Sequence, residues 1–251
     1  MPSGAALASE GPGDRGAGLV PARVELGLLG AFELSIAGDR VSLPMNGQRV
    51  LAFLALQGRS LTRSFVAGSL WLDSTDDRAL GSLRSALWRL NREGLLVEAS
   101  SDKIALAAQM KVDFTAAVAQ ARRLLDPECD DCSTPSDIRL HDDLLPDWYD
   151  DWVALERERF RQLRVHALER LCEKLIASRR FGEAIEAGLA VARAEPLRES
   201  AHSILIRAHL AEGNRCEALA EYNRFRALLR DELGLTPSSE MVALVAEVTG
   251  R

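Results

Sequence analysis

The chain has 251 residues, 47% of them hydrophobic and 27% charged, and a net charge of −6 at pH 7, which is room for two modest globular domains with real cores. No apolar run approaches the roughly 20 residues that cross a bilayer, and the N-terminus lacks the basic-then-apolar order of a secretion signal, so a cytoplasmic protein with no membrane partner is expected. The acidity is uneven: residues 23–112 carry 11 Lys or Arg against 9 acids and residues 113–251 carry 19 against 26, a balance that suits DNA contact by the first part and protein contact by the second.

Residues 1–22 are rich in Gly, Ala and Pro, hold little that can be buried and are expected to form a mobile tail. From Val24 to Leu43 apolar residues alternate, with Val24, Leu26 and Leu28, then Phe32, Leu34 and Ile36, then Val41 and Leu43 after a turn at Gly38 and Asp39. Alternation of this kind predicts short antiparallel strands. Pro44 and Asn46 open a predicted helix in which Val50, Leu51, Leu54 and Ala55 share a face and which Gly58 closes. A second helix is expected from about Thr62 to Trp71, with Thr62 as its N-cap and Phe65, Val66, Ser69 and Leu70 on its buried side. The loop LDSTDDR leads to a third helix, after which Leu95 to Val97 and Ile104 to Leu106 flank Ser100, Ser101, Asp102 and Lys103 in the pattern of a hairpin.

The third helix, RALGSLRSALWRLNR from Arg78 to Arg92, carries the strongest functional signal. Leu83, Leu87 and Leu90 fall in one narrow sector, Gly81, Ser85, Trp88 and Arg92 point the opposite way, and Arg84 and Arg89 stand on the flanks. These fifteen positions hold Arg78, Arg84, Arg89 and Arg92 and no carboxylate. Two readings weigh equally on that pattern alone: a helix that binds a DNA groove, or a solvated basic face whose charges are paired elsewhere in the fold. Trp88 lies about 120° or more from the leucine stripe, which places its indole outside the core, where apolar contact with thymine methyls or sugar edges explains it.

Residues 126–137, DPECDDCSTPSD, have the composition of a loop. The CxxC of Cys129 and Cys132 invites zinc, which needs about four ligands, but His141 is the only nearby addition and Cys172 and Cys216 sit inside helical patterns. Reduced thiols and no metal are expected. From Asp147 the pattern is helical throughout, beginning with a long helix from about Tyr149 to Ser178. RRFGEAIEAGLAVARAEP and GNRCEALAEYNRFRALL align when Glu183 and Ala184 are laid on Glu217 and Ala218, an offset of 34 that is the period of tetratricopeptide repeats. Pro196 and Pro237 mark helix boundaries, and Ser238 to Val248 form a capping helix. Such an array presents a concave surface to a protein partner or serves as a packing platform. There is no P-loop, HExxH or GxSxG motif, and His141, His166, His202 and His209 lack ligand spacing, so neither catalysis nor a cofactor is expected.

Sheet, three helices and hairpin in that order resemble the winged helix-turn-helix of response-regulator effector domains. LGLLGAFEL, RSFVAGSLW and LRSALWRLNR stand where that family's strands, positioning helix and recognition helix belong. The resemblance implies a third helix in the major groove and a wing against the neighbouring backbone. It makes Arg84, Ser85, Trp88, Arg89 and Arg92 the groove-facing set and Lys103 a wing contact, with Arg78 completing the DNA-binding residues. Arg84 and Arg92 either read bases or anchor phosphates.

With the helical array behind it, the chain resembles the Streptomyces antibiotic regulatory protein family, whose second module is the bacterial transcriptional activation domain. LRSALWRL, LLPDWYDDWVALERERFRQLR and YNRFRALLRDELGLTPS carry that likeness, which runs from Val24 to Val248. It implies a mainly α protein with a small β component: a disordered tail over 1–22, a winged helix DNA-binding domain over 23–110 and an all-α, tetratricopeptide-like domain over 111–251. It further implies a small stand-alone transcription activator that binds double-stranded promoter DNA as a dimer on direct repeats, recruits RNA polymerase holoenzyme, lies at the nucleoid when bound and controls secondary metabolism. A tetratricopeptide-type interaction adaptor and a ligand-responsive repressor remain the alternatives.

Overall fold

The structure, a computed structural model, describes residues 23–90, 96–129 and 139–249; the predicted tail over 1–22, Arg92 and Cys132 lie outside the described residues. Alternating apolar residues form β1 (Val24–Gly27) and β2 (Glu33–Ile36), paired antiparallel with Leu26 opposite Leu34. Ala37 and Gly38, both at positive φ (53° and 94°), make the two-residue turn into β3 (Asp39–Arg40), one residue earlier than the predicted turn and with the left-handed backbone at both central positions that marks a type I′ hairpin. The strand β7 (Met110–Val112) runs parallel to β1 and completes a sheet of order β3-β2-β1-β7. Three residues carry no legible periodicity, and the sequence reading missed this strand. Its first residue precedes the expected junction at 110/111.

Pro44 precedes α1 (Met45–Gln57), and Gly58, at φ 59°, closes it. All six residues from Val50 to Ala55 are buried, not only the predicted stripe, since α1 packs against α2 (Arg63–Leu70), α3 (Asp76–Leu90), α4 (Asp113–Leu125) and the wing strand β6 (Lys103–Leu106) at once. Gly47 is buried on the side of α1 that faces Leu90 of α3. Thr62 caps α2 as expected, accepting from the Phe65 amide at 3.4 Å. Phe65 is not core, however. It is 47% exposed beside the Arg59 guanidinium, 5.9 Å from its ring centroid; Val66 and Leu70 are buried as expected, joined by Ala67, and Ser69 is half-buried. β5 (Val97–Ala99) and β6 make the predicted hairpin, to which β4 (Leu61–Thr62) adds an unpredicted third strand.

The helical half begins with α4, whose Phe114, Ala117, Ala121 and Leu124 face the core. Asp113 opens it and accepts the Leu28 and Leu29 amides at 2.8 and 3.1 Å; burial pushes its carboxyl up despite these bonds. The chain then returns to the sheet, where Gly30 donates to Asp143 and Leu145 to Leu28, before α5 (Asp151–Ala177), α6 (Phe181–Ala194), α7 (Glu199–Glu212), α8 (Arg215–Leu233) and α9 (Ser239–Thr249). α6 and α8 start 34 residues apart, as the self-match requires. One hydrophobic core runs unbroken from β1 into α7, and a second joins Ile206, Ala218, Phe225, Leu229, Met241 and Val245. Trp148 and Trp152 link sheet and helices: Trp148 stacks on Phe32 at 6.0 Å, and Trp152 meets Phe53 of α1 edge-on at 5.2 Å. No helix among the described residues is long and apolar enough to cross a membrane.

Two buried polar sites hold the repeats. Cys172 is fully buried, its Sγ 3.1 Å from the Ala184 carbonyl, and burial pushes its thiol up to about 12. Iodoacetamide at mildly alkaline pH is therefore expected to modify the exposed Cys216 well before Cys172, which should react only under unfolding conditions. Peptide mass spectrometry of timed reactions checks this. His202 lies between the Glu221 carboxylate at 2.7 Å and the Pro196 carbonyl at 2.8 Å, stacked on Phe225 at 4.3 Å. The hydrogen bond from His202 lowers the Glu221 carboxyl below its ordinary 4.5. Its stabilisation is thus present above that value and lost as pH falls. Glu221→Gln is expected to destabilise the protein at neutral pH by about 1–3 kcal/mol and to flatten the acid limb of its urea-denaturation midpoint against pH.

Candidate nucleic-acid interface

α3 begins at Asp76, two residues before its predicted start, so its first turn carries Asp76 and Asp77, which favour a helix N-terminus. Ala79, Leu83, Ala86, Leu87 and Leu90 are buried against α1 and α2. The opposite side is exposed. At 100° per residue, Arg84, Asp77, Trp88, Gly81, Ser85, Arg78 and Arg89 follow one another over an arc of about 140°. Arg84, Ser85, Arg78 and Arg89 are all exposed, and the Trp88 indole is 67% exposed.

The pairing of charges separates α3 from much of the surface. Arg23, Arg40, Arg159, Arg170, Arg180 and Arg230 each meet a carboxylate within 3.0 Å. Arg78, Arg84 and Arg89 meet none among the described residues. Ser85 donates its hydroxyl to the Gly81 carbonyl at 3.0 Å, which leaves it an acceptor toward any ligand. An open cleft of about 670 Å³ runs between α3 and the start of α1, with Arg78, Arg84, Ser85 and Arg89 on one wall and Pro44 and Asn46 on the other.

The wing stands beside α2, and one residue the sequence reading did not single out fixes it there. Arg63, the first residue of α2, donates to the Ser100 carbonyl through Nε (3.1 Å) and Nη2 (2.8 Å), while its amide donates to the Asp102 carbonyl. Lys103 projects from the base of that turn, exposed. Only the local polarity of the turn hinted at Arg63, since its partners lie 37 residues away. Among the described residues no three His, Cys, Asp or Glu side chains gather as a metal site requires.

Residues 139–249 match the model of the bacterial transcriptional activator domain. The chain is 28% identical over 230 residues to the regulatory protein AfsR of Streptomyces coelicolor, covering 85% of this chain and 23% of that one. It is 26% identical over 211 residues to AfsR of Streptomyces griseus, covering 80% and 22%. The chain thus spans less than a quarter of these curated relatives. The solved structure of Mycobacterium tuberculosis EmbR in complex with a low-affinity phosphopeptide superposes with a TM-score of 0.69 over 91% of this chain and 65% of that one, at 22% identity, which shows a shared fold. With a winged helix at its N-terminal end and a bacterial transcriptional activator domain over residues 139–249, the chain is thus similar to these regulatory proteins over most of its length.

Proposed function

We propose that this regulator is a sequence-specific DNA-binding activator that lays α3 in the major groove and the β5–β6 wing on the adjoining backbone. The observation that carries the reading is the exposed row Arg78, Arg84 and Arg89, without carboxylate partners among the described residues, in a protein whose net charge is −6. Phosphate neutralisation and counter-ion release supply the affinity, which therefore falls steeply with salt. Trp88 offers apolar surface to thymine methyls, and Arg84 beside it offers the paired donors that guanine accepts. Ser85 accepts from a base amino group. Arg78 and Arg89, on the far edge of the arc, lie against phosphates with Lys103 of the wing. Arg92, four positions after Trp88 in the sequence, extends the base-reading set.

The likeness to the Streptomyces antibiotic regulatory protein family extends the proposal: the protein binds promoter direct repeats as a dimer, recruits RNA polymerase holoenzyme through the helical domain or the outer winged-helix surface, acts at the nucleoid in the cytoplasm and controls secondary metabolism. Fluorescence anisotropy with duplexes tiled upstream of its own and neighbouring genes, against scrambled duplexes across a salt series, tests the reading. Trp88→Ala and Arg84→Ala are each expected to cost about 1–3 kcal/mol on the preferred duplex and little on scrambled DNA. Arg78→Ala and Arg89→Ala should weaken both alike and lower the salt slope by about 1. Equal weak binding of preferred and scrambled duplexes by the wild-type protein overturns the reading.

Asp77 is the one carboxylate on the exposed stripe that holds Arg84 and Trp88. Asp77→Asn is expected to tighten binding to every duplex and to steepen its salt dependence, because an anion facing phosphate is removed. The same anisotropy series measures it.

A further inference from the structure

α2 ends without a cation of its own: its last turn holds no basic residue. The guanidinium of Arg49 on α1 supplies one, Nη2 donating to the carbonyl of Leu70, the last residue of α2, at 2.7 Å. The same guanidinium donates to Asp150 Oδ1 through Nη2 at 2.6 Å and Nε at 3.1 Å. Asp150 is the N-cap residue of α5, yet its side chain makes no cap bond to that helix; its carboxylate is turned to Arg49 instead. The two side chains are 21% and 25% exposed, and the Phe53–Trp152 contact stands beside them in sequence on the same two helices. From Leu70 the turn to α3 is short and bonded, with the Trp71 amide on Ala67 and the Ser74 amide on Trp71. The end of α2 therefore fixes where α3 starts.

We propose that Arg49 is a positioning residue for DNA reading, which joins the C-terminal end of α2 to the N-terminal end of α5 so that the seating of the activator domain sets the angle at which α3 is presented. The inference rests on the DNA-binding role of α3. It assigns to Asp150, a residue of the activator domain remote in sequence from α3, control over a surface that it does not form.

The test uses the full chain as wild type, Asp150→Asn, Arg49→Ala and the double variant. Hydrogen exchange without DNA is read at the Trp71 and Ser74 amides, and anisotropy is read on the preferred and scrambled duplexes. Asp150→Asn, which keeps the side-chain shape and removes the charge, is expected to exchange faster at both amides. It should also lose about 5- to 20-fold in preference for the specific duplex with an unchanged salt slope. The double variant should lose no more than Arg49→Ala alone, since both changes break one link. Unchanged exchange in Asp150→Asn overturns the proposal whatever the DNA data show. Additive losses with a reduced salt slope in Arg49→Ala overturn it in favour of a direct phosphate contact, and a lowered melting temperature with an unchanged duplex preference reduces the pair to a stabilising one. If the wild type prefers no duplex, the role of α3 fails, and the exchange measurement still decides whether Arg49 holds the turn.

Discussion

The architecture depends on two indoles. Trp148 precedes the long helix α5 and Trp152 lies in its first turn, and their rings lie on Phe32 of the sheet loop and Phe53 of α1. Both indoles are half-buried, and their large apolar rings fasten the helical half to the winged half. Arg157 completes the junction from the first turns of α5 by donating to the carbonyls of Leu144, Leu145 and Trp148. Backbone that would otherwise be buried without partners is satisfied there. The continuous core from β1 to α7 is the result.

Long elements with clear periodicity were legible in the sequence. The three winged-helix helices, the long α5 and the 34-residue spacing of α6 and α8 all stand where the apolar pattern puts them. What the pattern could not reveal is what tertiary geometry makes. β4 has two residues and β7 three, and each exists only because a partner strand lies alongside. The burial of Ala52 and Phe53 outside the predicted stripe of α1 follows from neighbours on several sides, and the exposed Phe65 stands beside a cation outside its own helix.

The candidate site was legible to a similar degree. Helical spacing alone places Trp88 on the outer side of α3 and Leu83, Leu87 and Leu90 inside. Spacing says nothing about which arginines find carboxylates, and that distinction set α3 apart from the paired arginines elsewhere. Nor did it suggest that Asp77 shares the exposed stripe, because the helix starts earlier than the basic run. Arg63 and Arg49 act across 37 and 101 residues of sequence, distances over which no local pattern reports.

The repeat units are related but not equivalent. A Cβ at Gly188 on α6 would stand 3.2 Å from Leu205 Cα on α7, so these helices approach nearly to backbone contact. Thirty-four residues on, the second unit places Glu221, Tyr222 and Phe225 where the first has Ala187, Gly188 and Val191. The first unit is sealed by absence of side chain and the second by bulk, with the imidazole of His202 seated on the larger ring. Helix spacing is therefore a local property of each pair in this array, and neither unit can be copied in place of the other to lengthen it.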